Sequence, residues 1–242
     1  MSLKGKTVLI TGAAIRVGKA MALSAADAGA NMILHYGSSE AEAEKTLAEV
    51  QAKGVQAEKI HANLNDTEET QKLIENAHDQ FGQIDVLINN AAIFGSIGFL
   101  DTAIEDWQKH FQINLTAPFL LSQGFAKKLP EGSKGRILNI LDWRALRPGA
   151  DHFPYTISKS GLAALTKSLA ISLAPNISVN GIALGAILPP SDGGLSEKIL
   201  KDVPLNRWAT LEEVGETMRF LLEGPEYITG EIVHLDGGRH LI

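Results

Sequence analysis

The sequence predicts a doubly wound α/β fold, a seven-stranded and mostly parallel sheet with helices on both faces. Two observations carry this. Seven short apolar runs rich in β-type residues fall at 6–10, 31–35, 56–61, 86–89, 136–140, 178–182 and 232–235. Segments mostly long enough for a helix separate them, which implies right-handed crossovers and a parallel sheet buried on both faces.

Local signals place the connecting elements. The first run leads through Thr11-Gly12-Ala13-Ala14-Ile15-Arg16-Val17-Gly18 straight into a helical pattern. Ser39-x-x-Glu42 and Asp66-x-x-Glu69 read as capping boxes, and Gly29, Gly54 and Gly82 stand where helices should stop. The prolines and glycines of 184–195 forbid a regular element, so 184–203 reads as a substrate loop or lid. No linker, repeat or low-complexity segment divides the chain, and 1–242 is expected to be a single domain.

Composition narrows the function. The 242 residues are 45% hydrophobic and 21% charged, which suits a globular chain and excludes disorder, collagen and coiled coil. With no cysteine there is no disulfide framework, thiolate metal site or cysteine nucleophile, and a reducing compartment fits. Signal-peptide and membrane-spanning patterns are lacking, so a soluble cytoplasmic protein is expected. The net charge of −6 and scattered basic residues speak against nucleic-acid or membrane partners. The seven histidines show neither metal-ligand spacing nor the order of a nucleophile triad, and no metal is expected. Trp107 and Phe111, one helical turn apart, should pack in the core or at an interface between copies.

The turn after the first strand has the features of a phosphate cradle. Gly12 supplies the backbone angle and Gly18 close helix–sheet packing, while the N–H groups at Ile15, Arg16 and Val17 open the helix toward a pyrophosphate. This predicts a dinucleotide site. Arg16 adds a fixed positive charge. The second strand ends His35-Tyr36-Gly37-Ser38-Ser39 without the carboxylate that would grip both ribose hydroxyls of NAD. Its absence, with Ser38, Ser39 and Arg16 nearby, favours NADP(H).

Tyr155 and Lys159 lie four apart at the start of a helical pattern and share one face. An ammonium beside a phenol stabilises the phenolate and makes it a usable acid or base near neutral pH.

Taken together, the TGAAIRVG turn, Asn89-Asn90-Ala91-Ala92, Asn114, the YTISK segment and Asp236-Gly237-Gly238 resemble the short-chain dehydrogenase/reductase family over essentially the whole chain. The resemblance implies a Rossmann-fold NAD(P)-dependent oxidoreductase, usually a homotetramer. Tyr155 would donate the proton, Lys159 would bind the nicotinamide ribose and tune Tyr155, and Asn114 would hold a proton-relay water. Asn63 and Leu64 would sit by the adenine, Asn90 and Ala91 by its ribose, and Ile187 against the nicotinamide.

Where the family places a catalytic serine, thirteen residues before Tyr155, this chain has Asp142. An ionised carboxylate would repel a ketone oxygen, whereas a carboxyl group suits a nitrogen heterocycle, accepting from N–H donors or protonating a ring nitrogen. Burial against the nicotinamide and Phe94 favours the protonated role, and a nearby Lys159 ammonium favours the anion; the protonated role is expected. Arg16, Asp142 and Phe94 together resemble the pteridine reductase and dihydromonapterin reductase branch, in which an aromatic ring at the Phe94 position stacks the pterin. Other positions depart from it: Ala92 replaces a serine, Leu184 a proline and Pro189 a threonine, while Trp143 and Arg144 could narrow the pocket. The expected function is NADPH-dependent reduction of a C=N bond in a pteridine-like ring, of dihydropterin or dihydrofolate type. Asp142, Tyr155, Lys159 and Asn114 would be catalytic, and Phe94, Asp142 and Tyr155 would contact substrate. The alternatives are a carbonyl or 3-oxoacyl reductase and a non-catalytic cofactor-binding protein.

Overall fold

The computed structural model describes residues 1–189 and 196–242. Its strands are β1 (Thr7–Ile10), β2 (Asn31–Tyr36), β3 (Ala57–His61), β4 (Val86–Asn89), β5 (Gly135–Asp142), β6 (Ile177–Leu184) and β7 (Ile232–Leu235). They form one sheet in the order β3-β2-β1-β4-β5-β6-β7, and every neighbouring pair is parallel. The sheet is therefore wholly rather than mostly parallel. The helices are α1 (Arg16–Asp27), α2 (Glu40–Gln51), α3 (Thr67–Phe81), α4 (Ile104–Phe111), α5 (Ala117–Lys128), α6 (Phe153–Ser172), α7 (Ser196–Lys201) and α8 (Leu211–Glu223).

Successive strand residues feed two cores, because side chains alternate across a pleated sheet. On one face Val8, Ile10, Met32, Leu34 and Ile88 pack with Met21 and Ala25 of α1 and Val214 and Met218 of α8. On the other, Leu9, Ile33, Leu87 and Ile137 pack with Leu73 and Ile74 of α3 and Leu121 and Phe125 of α5. Leu9 is fully buried, so Leu9→Ala should cost about 2–5 kcal/mol.

β5 and β6 each extend two residues beyond the predicted runs, and Asp142 pairs with Leu184 as the last rung of their ladder. The strand itself thus delivers Asp142 to the carboxyl edge of the sheet. The predicted capping box at Ser39 does not form: with ψ 61° its backbone lies outside the extended region a capping side chain uses, and the hydroxyl makes no cap hydrogen bond. Asp66 is extended and accepts from the Glu69 N–H as expected, but Glu69 reaches back to the N–H of Asn63, so half of that box is present. A complete box stands at Thr210 and Glu213, ahead of α8.

α4 and α5 are joined by a wide π-helical turn, Gln112–Thr116, which carries Asn114. Trp107 and Phe111, both half-buried, stack at 4.3 Å, and Trp107 faces Phe153 at the start of α6. Residues 190–195 of the expected lid lie outside the described residues. Among the described residues no helix is long and apolar enough to cross a membrane, and no group of three or more histidine and acidic residues is placed to hold a metal ion.

Candidate active site

The strand order reverses at β1, whose neighbours are β2 and β4, and a crevice opens at the carboxyl ends of these strands. It holds a cavity of about 770 Å³ lined by Gly12, Ile15, Arg16, Val17, Gly18, His35, Tyr36, Ser38, Ser39, Asn63, Leu64, Asn90 and Ala91. These are the residues that the sequence assigned to a dinucleotide, apart from Tyr155, Lys159 and Ile187. His61 and Glu69 line it too; the sequence reading missed both, although His61 ends β3 beside Tyr36.

The turn is built for close approach. Gly12 has φ +64°, and a Cβ on Gly18 would run into the carbonyl oxygen of Gly12. The first N–H groups of α1 have no partner within the helix and open toward the cavity. Arg16 takes a left-handed φ of 54°, a conformation an arginine adopts only under constraint from its surroundings. From β4, the N–H groups of Asn90 and Ala91 both donate to the Thr11 hydroxyl, and the Asn90 amide donates to the carbonyls of Thr11 and Gly12. His35, though it lines the cavity, commits both ring nitrogens to the protein: Nδ1 accepts from the Gly12 N–H at 3.1 Å and Nε2 meets the Ala62 carbonyl at 3.0 Å. Burial lowers its pKa to about 4, so the ring is neutral.

A second cluster lies at the ends of β4, β5 and α6. The Tyr155 hydroxyl donates to Oδ2 of Asp142 at 3.2 Å. Asp142 caps the short 3₁₀ turn Trp143–Ala145, its Oδ1 accepting from the Arg144 N–H at 2.9 Å with Nη1 of Arg144 at 3.5 Å. Phe94, 57% exposed, meets Tyr155 edge-on at 4.7 Å and stacks on His152 at 4.1 Å. Asn114 is fully buried: its Oδ1 accepts from the Ile93 N–H, and its amide donates to the Ile93 carbonyl and the Ser158 hydroxyl. Ile187 is buried in the core layer that contains Ile140 and Ile182.

Around Tyr155 the hydrogen bonds and charges are shared among Lys159, Arg144 and Asp142. Lys159 lies over the Tyr155 ring, its Nζ 6.0 Å from the ring centre, but its hydrogen bond goes to the Ile140 carbonyl at 2.7 Å rather than to the phenol. Burial, then the Asp142 charge, holds the Tyr155 phenol well above its ordinary pKa, and Arg144 alone offsets them. Burial brings Lys159 itself down to about 8. The cation in contact with Asp142 is Arg144, with the Lys159 charge acting on it at longer range, and the carboxylate oxygens accept from the Arg144 N–H and the Tyr155 hydroxyl. Both amide hydrogens of Asn114 are used within the protein, on the Ile93 carbonyl and the Ser158 hydroxyl. Asp-x-Arg at the end of a strand was the signal for the first pair; nothing local announces the Phe94–His152 stack.

A family model described as enoyl-(acyl carrier protein) reductase matches residues 12–240. The chain belongs to the short-chain dehydrogenase/reductase family. It is accordingly an oxidoreductase. A 3-oxoacyl-[acyl-carrier-protein] reductase of Synechocystis sp. is 36% identical over 98% of both chains. Among solved structures of this family, FolM alternative dihydrofolate reductase 1 from Brucella canis, complexed with NADP, is 35% identical with a TM-score of 0.92, covering 100% of this chain and 97% of its own. A blue fluorescent protein from a metagenomic library, in complex with NADPH, has 32% identity and a TM-score of 0.92 over 99% of each chain.

Proposed function

We propose that this short-chain reductase uses NADPH to reduce a C=N bond in a pteridine-like heterocycle. The observation that carries the reading is the Asp142 carboxylate hydrogen-bonded to Tyr155 beside the exposed ring of Phe94. The FolM relative, titled an alternative dihydrofolate reductase, supports it.

NADP(H) fits the crevice: the Gly12–Gly18 turn and the start of α1 suit the pyrophosphate, and no carboxylate ends β2 to oppose a 2′-phosphate. Arg16, Ser38 and Ser39 would hold that phosphate, Asn63 and Leu64 the adenine, Asn90 and Ala91 its ribose, and Lys159 the nicotinamide ribose. When bound, the cofactor supplies the hydride. Tyr155 gives the proton from its hydroxyl. Asp142, an acceptor throughout, orients the N–H donors of the ring, a contact a ketone lacks. Phe94 offers a face on which a flat ring stacks, and Asn114 positions this aromatic loop against α6. Residues 184–203 would cover the bound ring, and a homotetramer is the assembly this reading takes.

A second reading, reduction of 3-oxoacyl thioesters, is favoured by the Synechocystis relative. Following NADPH oxidation with dihydropterin, dihydrofolate, a quinone and acetoacetyl thioester separates them. Dihydropterin or dihydrofolate should be turned over with the highest kcat/KM; preference for the thioester would replace the heterocycle reading by the second.

A further inference from the structure

We propose that Arg144 is a positioning residue for the reaction, the cation that fixes the Asp142 carboxylate against the hydroxyl of Tyr155. The inference rests on the reading of Asp142 and Tyr155 as the reacting pair. Arg144 is nearly enclosed, its side chain 12% exposed. One edge of its guanidinium holds Asp151, with Nη2 at 2.9 Å and Nε at 3.4 Å. The remaining nitrogen, Nη1, faces Asp142 at 3.5 Å. The indole of Trp143 lies 4.9 Å from the guanidinium carbon and the Phe94 ring 5.9 Å. A planar fork can serve two carboxylates and lie against aromatic rings at once; a lysine ammonium cannot.

The charged and titratable groups around the phenol come from several elements. Asp142 ends β5 and Arg144 follows in the 3₁₀ turn, while Lys159 projects from the phenol's own helix. Asp151 and His152 stand in the loop before α6, with His152 Nε2 at 3.6 Å from Asp151. Arg239, from the C-terminal turn, stacks on Trp143 at 4.4 Å. Of these, Asp142 alone bonds the phenol, and an anion there opposes its ionisation. Lys159 lies over the ring but gives its hydrogen bond to the Ile140 carbonyl. Arg144 is thus the contacting charge that limits this opposition, both by partial neutralisation and by holding Oδ1 of Asp142 while Oδ2 faces Tyr155.

Two measurements test this. In steady-state reduction of a dihydropterin, Arg144→Met should lower kcat about threefold to tenfold and move the alkaline limb of the pH profile upward by about one unit, with KM for NADPH within about twofold. Arg144→Lys, which keeps the charge, should bring the limb back to within about 0.3 unit of wild type. In cofactor-free protein, the ring-carbon NMR signal of Tyr155, assigned by its loss in Tyr155→Phe, should begin to titrate at lower pH in wild type than in Arg144→Met. Arg144→Gln serves for both if Arg144→Met does not fold. An unchanged alkaline limb together with an unchanged Tyr155 signal overturns the proposal, as does a loss of activity matched only by a fall in Tm. If wild type reduces no heterocycle, the functional reading fails, while the NMR titration still decides the role of Arg144.

Discussion

The Tyr155 hydroxyl bonds Asp142, and Lys159, one turn further along α6, is turned to the carbonyl of Ile140. The phenol is therefore tied to Asp142 and the ammonium to the sheet. Removing the hydroxyl alone should leave the ring packed on Phe94. Tyr155→Phe is expected to lower kcat by about 10²–10⁴-fold, with the dissociation constant for NADPH, measured by isothermal titration, changed less than about twofold. A variant that keeps its rate would move the proton transfer to another group.

Asp142 should set the choice of substrate. Asp142→Asn preserves shape but turns an acceptor of N–H groups into a mixed donor and acceptor, and should cut kcat/KM for dihydropterin by about tenfold to a hundredfold, equivalent to about 1.5–3 kcal/mol. Asp142→Ser restores the hydroxyl typical of the wider family and should raise the rate with acetoacetyl thioester relative to dihydropterin. Parallel assays of both substrates with the three proteins check this, and full activity of Asp142→Asn on dihydropterin would count against the heterocycle reading.

Arg16 should discriminate between cofactors. It lines the same cavity as Ser38 and Ser39, in a left-handed conformation. Arg16→Ala is expected to weaken NADPH by about 1.5–3 kcal/mol, the range for one charge-assisted contact, and to affect NADH much less. Equal losses for the two cofactors in isothermal titration would show that the guanidinium does not reach the 2′-phosphate.

Acid should loosen the cofactor turn through His35. Its folded pKa of about 4 lies below the ordinary 6.5, so the neutral ring's contribution is present above about pH 6.5 and is lost as pH falls through about 4. The difference of about 2.5 units corresponds to about 3 kcal/mol. Protonation of Nδ1 also removes the acceptor for the Gly12 N–H. His35→Gln, which carries a non-titrating donor and acceptor, should show a shallower fall in urea midpoint between about pH 6.5 and 4.5 than wild type. Parallel slopes for the two proteins would assign the acid sensitivity elsewhere.

The sheet was legible because strands buried on both faces carry unbroken apolar runs, as in Val86–Ile88. The glycine turn after β1 was legible because Gly12 needs a positive φ and Gly18 lies against the Gly12 carbonyl, positions that admit few other residues. The partners of Asp142 were less so. Lys159 is close in sequence to Tyr155, yet a helical spacing gives a shared face without saying where a long side chain ends. Arg144 reaches Asp142 only because the chain turns into a 3₁₀ segment at Trp143. His152 meets Phe94 only after the loops following β4 and preceding α6 are joined, by the Phe153 N–H to the Ile97 carbonyl among other bonds. Ser39 shows the opposite limit: residue type suggested a cap, and the backbone angle refused it.

Asn114 ties the loop that carries Phe94 to the helix that carries Tyr155 through three hydrogen bonds from one amide. The spacing between the Phe94 ring and the Tyr155 hydroxyl is therefore settled while the chain folds. A flat ring arriving there finds this rim preorganised, and the entropy of ordering it does not weigh against binding. Ligands that match the rim should gain affinity chiefly in enthalpy, and those needing a wider gap are rejected by rigidity rather than by charge.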